Sequence, residues 1–416
     1  MVNLIDVMNV TTTGGNVYTY DRLSNKIVGG DVIYPDDEWE FGPLMQFASL
    51  PDVDTYVLGV TEQCNLRCAY CCYSGSYPGN RVHSPRAMSE SDVESILYFI
   101  DEMSPNRDIR LSFYGGEPLL NFSVVKRMVG QAVKCWGNRV TFSISTNATL
   151  LVEEVVDWLV AKNIELAISI DGVGEYHDEN RIDSKGKGSF ARVRKALQYI
   201  NAHYPDYYNR LTIIMTRPSF DSIDKVAESW HNDALLRDLS PTMINGLAPN
   251  FEVGVNKADY NSLREMYTKL LDVYEQHQDW NVLKVLFSQC VVYWHNRPIL
   301  SPSGPVPMAT CLPLNTKLYI DTSLNIGVCE KMSDSYRIGK VGEGIDLRAA
   351  NAMVSEYYNR RVKRCKYCPA VRMCDMCLTA IEFFDEQWDL LCHNERVYMR
   401  LNMYLYCEMA ERGLLR

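Results

Sequence analysis

The run Thr61-Glu62-Gln63-Cys64-Asn65-Leu66-Arg67-Cys68-Ala69-Tyr70-Cys71 spaces its cysteines as Cys-x-x-x-Cys-x-x-Cys, with an aromatic residue directly before the last. Thiols this close can offer several thiolates to one metal centre, and a zinc knuckle or a set of buried thiols would use the same spacing. A second stretch bears on the choice. Ile109 to Phe113 reads as a buried strand and runs straight into Tyr114-Gly115-Gly116-Glu117-Pro118. Two glycines let a backbone approach a ligand closely, and a carboxylate follows where it could hold an ammonium group. An ordinary strand-ending turn has the same composition.

Working outward, 416 residues with 47% hydrophobic content can bury a substantial core and predict two or three domains. No apolar run approaches the roughly 18 residues that span a membrane, and the first residues lack a basic-then-apolar export pattern. The expectation is a cytoplasmic protein. The 14 cysteines cluster in Cys-x-x-Cys units, which favours metal ligation in a reducing compartment over disulfides. A balance of 42 basic against 52 acidic residues, net charge -10, argues against a nucleic-acid groove and fits a small-molecule or peptide substrate.

Near the start, Val17-Tyr18-Thr19-Tyr20 and Ile27-Val28 around Ser24-Asn25 read as a hairpin. From Tyr56 onward short apolar runs alternate with amphipathic stretches, predicting strands near 56–61, 109–114, 140–146, 165–170 and 211–216. One intervening helix is entered through Ser91 with Glu94 three residues on, a capping-box arrangement. Repeated strand-helix units imply an α/β fold: a parallel sheet of about six strands, a partial barrel with ligands at the strands' C-terminal ends. Ser145-Thr146-Asn147 and Ser169-Ile170-Asp171-Gly172 fall at such ends, with Arg181 further on. These residue types suit both ligand contacts and plain turns. A long helix over 258–278 follows, and Pro298, Pro302, Pro305 and Pro307 mark a boundary. The predicted division is 1–55, an N-terminal hairpin or peptide-recognition segment; 56–250, the barrel; 251–300, a helical linker; and 301–416, a cysteine-rich domain with a C-terminal helix.

That last region carries Cys311, Cys329, Cys365, Cys368, Cys374, Cys377 and Cys392. Zinc ribbons also use Cys-x-x-Cys pairs, although seven ligands suit zinc poorly. Cys290 could add another ligand or be a buried thiol, and Cys72, Cys135 and Cys407 read as buried. The histidines show no ligand spacing and read as surface or loop residues.

Over residues 56–400 the chain resembles the radical SAM family, with a C-terminal SPASM extension of the kind found in peptide and protein maturases. The resemblance is carried by the triplet Cys64, Cys68 and Cys71 with Tyr70, by Gly115-Gly116-Glu117-Pro118, and by the seven clustered cysteines. It implies that Cys64, Cys68 and Cys71 hold a [4Fe-4S] cluster whose open iron binds S-adenosylmethionine (SAM) and cleaves it to a 5′-deoxyadenosyl radical. It also implies cofactor contacts from Tyr70, from Gly115, Gly116 and Glu117 at the amino group, from Ser145 and Asn147 near the methionine, from Ser169 and Asp171 near the ribose, and from Arg181 at the carboxylate. Two auxiliary [4Fe-4S] clusters are implied, one on Cys365, Cys368, Cys374 and Cys392 and one on Cys311, Cys329 and Cys377, making three in all.

The Ser-x-Asp-Gly run with His177-Asp178 and Arg181 resembles the sulfatase-maturase and peptide-maturase branch. Tyr73-Ser74-Gly75-Ser76-Tyr77, Arg81-Val82-His83-Ser84 and the N-terminal hairpin look like enzymes that cross-link ribosomally made peptides. The function implied is hydrogen abstraction from a precursor peptide and formation of a cysteine thioether, with carbon-carbon cross-linking or formylglycine formation as alternatives. An electron donor such as flavodoxin or ferredoxin is implied. The auxiliary clusters would accept the second electron or bind substrate. No residue stands out as a catalytic acid or base. The reading outside catalysis is an iron-sulfur electron carrier or a zinc-stabilised binding module.

Overall fold

A computed structural model describes residues 9–32, 40–44, 46–50, 53–71, 73–74, 82–217, 220–245, 257–297 and 314–415. Cys72, Cys311, the prolines 298–307 and Gly75, Ser76, Tyr77 and Arg81 lie outside these residues. The chain groups into two compact units, 47–253 with 313–351, and 1–46 with 254–312 and 352–416. Residues after 313 return to the first unit's sheet, so the stretch 301–416 is divided between the two units.

A three-stranded antiparallel sheet, β1 (Asn9–Thr11), β2 (Val17–Asp21) and β3 (Lys26–Gly29), opens the second unit. The hairpin expected at Ser24-Asn25 is present. Asn25 sits there at φ 64°, and its side chain accepts a hydrogen bond from Tyr20 Oη at 2.7 Å. Asparagine tolerates this left-handed backbone because its short amide can bond locally.

The sheet of the first unit begins with six parallel strands in sequential order, β4 (Thr55–Thr61), β5 (Ile109–Gly115), β6 (Val140–Thr146), β7 (Glu165–Ser169), β8 (Thr212–Thr216) and β9 (Pro241–Asn245). The helices between them are α1 (Asp92–Met103), α2 (Phe122–Trp136), α3 (Glu153–Ala161), α4 (Glu175–Asp178), α5 (Phe190–His203), α6 (Pro205–Tyr208) and α7 (Ile223–Asn232). Burial alternates along β5 and β6. Leu111, Phe113 and Ile144 form one sealed row, continued by Ile168 and Ile213, and such side chains contribute about 1.5–3 kcal/mol each when fully buried. The opposite row, including Ser112, Ser143, Ser145 and Ser169, stays partly open, with Ser143 Oγ donating to Ser112 Oγ at 3.0 Å.

Beyond β4 the same sheet continues into β10 (Lys317–Ile320), β11 (Asn325–Gly327), β12 (Arg337–Lys340) and β13 (Gly344–Ile345). β10 pairs in parallel with β4, and the outer strands are antiparallel. The remaining helices are α8 (Tyr260–Gln276), α9 (Asn281–His295), α10 (Leu347–Cys365) and α11 (Asp385–Glu411). Among the described residues no helix is long and apolar enough to cross a membrane.

Three local expectations fail. Ser91 precedes α1 without a side-chain cap; Asp92 instead accepts from Ser89 N and Ser89 Oγ, both at 2.7 Å, so the acidic group closes the turn from inside the helix. Cys135 is exposed on the solvent face of α2. His177 is completely buried.

Candidate active site

The cluster loop leaves β4 at Thr61, and the Gly-Gly-Glu-Pro turn leaves the adjacent β5 at Gly115. Gly115 takes φ 137°, and a Cβ there would run into the carbonyl oxygen of Thr61; one on Gly116 would meet that of Gln63. Gly116 N donates to Thr61 O and Glu117 N to Gln63 O, each at 2.8 Å. The glycines thus let the turn press against the root of the cysteine loop.

Glu117 is sealed from solvent. Its carboxylate accepts from Leu119 N at 3.1 Å, Thr146 Oγ1 at 2.7 Å and Asn147 N at 2.8 Å, tying the turn to the end of β6. Burial raises its pKa to about 7, against the pull of these donors.

Hydrogen-bond donors converge on all three sulfurs of the triplet. Cys64 Sγ receives Leu66 N at 3.4 Å and Asn147 Nδ2 at 3.8 Å; Cys68 Sγ receives Arg181 Nη1 at 4.0 Å; Cys71 Sγ receives Tyr73 N at 3.4 Å, with His83 Nε2 at 3.9 Å. Burial pushes the thiols of Cys64 and Cys68 up to about 12 and about 11. Donors aimed at sulfur favour the opposite, anionic form. Among the described residues no three His, Cys, Asp or Glu side chains converge as a single metal ion requires, whereas thiolates of an iron-sulfur cluster each sit on a different iron. The donor set therefore fits a cluster.

Asp171 is the hub of the opposite wall and has no exposed surface. Its carboxylate accepts from Tyr70 Oη in the cluster loop, from Arg181 Nε at 2.8 Å and from Thr216 N at 2.9 Å. The Arg181 guanidinium lies 5.4 Å from the Tyr70 ring centroid. Burial opposes its charge, but the Asp171 carboxylate more than compensates and raises its pKa. Ser145 and Ser169 stand on the partly open row of the sheet.

Sequence reading missed His177 as a positioning residue. Its Nδ1 accepts from Asp171 N at 3.3 Å, and Nε2 lies 2.9 Å from Ser189 Oγ, which donates to Arg181 O at 2.7 Å. This network selects the neutral ring, and burial lowers the pKa from 6.5 to about 4. A depressed pKa means stability present above pH 6.5 and lost as the pH falls through 4. Glu117, held near 7, shifts stability the opposite way over nearly the same range, so the His177 contribution, about 3 kcal/mol lost across that window, is read as the difference between the urea-unfolding pH profiles of the wild type and His177→Gln. Identical pH profiles in the two chains would remove His177 as a contributor.

In the second unit Cys365, Cys368, Cys374 and Cys392 line one small cavity together with Arg361, Arg364, Arg396 and Glu395. Burial pushes the Cys392 thiol up to about 12 and raises Cys368 and Cys374 too. Arg361 Nη2 is buried there without a hydrogen-bond partner. An orphaned cationic nitrogen beside four thiols fits an anionic occupant such as a cluster on four thiolates. Of the other expected set, Cys329 belongs to the first unit and Cys377 to the second. Cys329 Sγ lies 3.6 Å from Glu330 Oε2, whose carboxylate pairs with Lys317 at 2.8 Å. Cys290 sits in α9 with its thiol pushed up to about 12 by burial.

Parallel strands, the cysteine triplet on the first of them and the glycine turn on the second define a radical SAM domain, and residues 58–228 match the radical SAM superfamily. The chain carries a radical SAM domain. It is 26% identical to the cysteine-type anaerobic sulfatase-maturating enzyme of Clostridium novyi over 76% of this chain and 84% of that one. It is 22% identical to the radical SAM cyclopropyl synthase TigE of Paramaledivibacter caminithermalis over 78% of this chain and 68% of that one. The fold also resembles the solved structure of native anSMEcpe with bound AdoMet and Cp18Cys peptide, at TM-score 0.60 and 18% identity, covering 88% of this chain and 100% of that chain.

Proposed function

We propose that this enzyme is a peptide maturase that removes a hydrogen atom from a ribosomally made precursor peptide and installs a cross-link, a cysteine thioether. The observation that carries this reading is the combination of the radical SAM site with a second thiol set, Cys365, Cys368, Cys374 and Cys392, around one cavity. Cys64, Cys68 and Cys71 would hold the SAM-binding [4Fe-4S] cluster, which when bound supplies reductive cleavage of SAM and so a hydrogen-abstracting radical. Tyr70, Asp171 and Arg181 fix the loop that carries these thiols. Gly115, Gly116 and Glu117 bring the amino-group site against it, while Ser145, Asn147 and Ser169 line the strand ends. The four-cysteine set would hold one auxiliary cluster, and Cys311, Cys329 and Cys377 the other. A flavodoxin or ferredoxin in a reducing cytoplasm would supply electrons, and the net charge of -10 leaves nucleic acid out of the partner set.

Formylglycine formation is the second reading, favoured by the similarity to the cysteine-type sulfatase maturase over 76% of the chain. The two separate by mass. Incubated anaerobically with SAM and reductant, a precursor peptide encoded beside the gene should lose two hydrogens and its free thiol. A sulfatase-derived cysteine peptide should remain unchanged. Exchange of that cysteine's sulfur for oxygen, with the precursor peptide untouched, would replace the first reading by the second.

A further inference from the structure

Arg361, in α10, is 1% exposed and among the largest fully buried side chains of the protein. Its Nη1 donates to Tyr357 Oη at 2.7 Å, and that hydroxyl donates to Met376 O at 2.5 Å. The fork is thereby fixed in place with its other prong unused, because Nη2 is sealed and lacks a partner among the described residues. No carboxylate among the described residues pairs with it. Neighbouring Arg364 is already bound to Asp385 and Asp389 at 3.2 and 2.7 Å. The polar groups acting on Arg361 are Cys374, Tyr357 and Cys365.

A guanidinium buried without a counter-ion is so costly that folded chains pair it. Bracing Tyr357 needs only one nitrogen and no charge. Arg361 lines the same cavity as the four thiols, and four thiolates around a doubly positive cluster core leave a net negative object. We propose that Arg361 is the counter-ion of, and a hydrogen-bond donor to, an iron-sulfur cluster held by Cys365, Cys368, Cys374 and Cys392, and that it raises that cluster's reduction potential. This rests on the reading of those cysteines as a cluster site. Reduction adds a negative charge, so a fixed cation in a low-dielectric cavity stabilises the reduced form more than the oxidised one. A lysine cannot replace the fork, because its single point charge cannot hold Tyr357 and reach the cluster at the same time.

The test is a redox titration of the reconstituted holoenzyme followed by electron paramagnetic resonance, with iron counted in every variant. Cys365→Ala should lose about four irons and one midpoint, which identifies the cluster; a variant that keeps all its iron overturns the cluster reading and the inference with it. In Arg361→Gln the ratio of reduced to oxidised cluster at the wild-type midpoint should fall about tenfold, a shift of about −59 mV for a one-electron couple, with the other midpoints unmoved. Arg361→Lys should fall between. An iron-replete Arg361→Gln with an unmoved midpoint overturns the proposal. If Arg361→Gln loses this cluster's iron, Arg361→Lys decides: a retained cluster whose midpoint is lowered by less than about 59 mV supports the counter-ion role, and loss from both variants overturns it in favour of a folding residue.

Discussion

Replacing Cys64, Cys68 and Cys71 together by alanine should remove about four iron atoms per chain from a reconstituted total of about 12 and abolish formation of 5′-deoxyadenosine. On the proposal that these three sulfurs hold the SAM-binding cluster the effect should be complete, because the donors around them, from Leu66, Asn147, Arg181 and Tyr73, cannot ligate iron in their place. The irons on Cys365, Cys368, Cys374 and Cys392 should remain, since these line a cavity in a different compact unit. Iron assay and chromatography of the SAM products are sufficient measurements. A triple variant that still makes 5′-deoxyadenosine would refute the site.

Asp171→Ala should destabilise the chain by about 3–5 kcal/mol, since it leaves the buried Arg181 guanidinium without its carboxylate. It also frees Tyr70 and Thr216 N, so the cluster loop and the end of β8 lose a common anchor. Asp171→Ala and Arg181→Ala combined should cost much less than the sum of the two single changes, because removing both partners leaves no stranded charge. Urea titrations of the four chains give the cycle directly, and simple additivity would mean that the pair is not energetically coupled.

The parallel strands were legible because short runs rich in β-branched and aromatic residues, with apolar residues at alternate positions, fall between amphipathic helices. Val140–Thr146 has the bounds expected, and Glu165–Ser169 is one residue shorter. The cysteine loop and glycine turn were legible as motifs, and the four C-terminal cysteines do meet at one cavity. Three things were hidden. Leu318-Tyr319-Ile320 is too short to announce a strand, and nothing local says that its neighbour is β4. Ser91 has the cap composition, but Asp92 and Ser89 win the same turn. His177 reads as a surface or loop residue, and Arg361 belongs to no motif. Their roles come from burial among partners far along the chain, Asp171 and Ser189 for one and the cysteine cavity for the other.

The parallel pairing of β10 with β4 makes the radical SAM domain discontinuous as a folding unit. Four consecutive residue pairs, Lys317 with Thr55 through Ile320 with Leu58, close the outer side of the strand that leads into the cysteine loop. Thr322 Oγ1 adds a hydrogen bond to Glu62 at 2.8 Å, just ahead of Cys64. A fragment ending at 253 would leave β4 as a bare edge of apolar residues, a template for pairing with other chains. During synthesis that edge stays unpaired until residues beyond 320 have emerged, a long-range closure of the kind that slows folding. The triplet-bearing domain therefore cannot be cut free at its apparent sequence boundary and kept soluble, and conditions that delay translation between 253 and 320 should favour its aggregation.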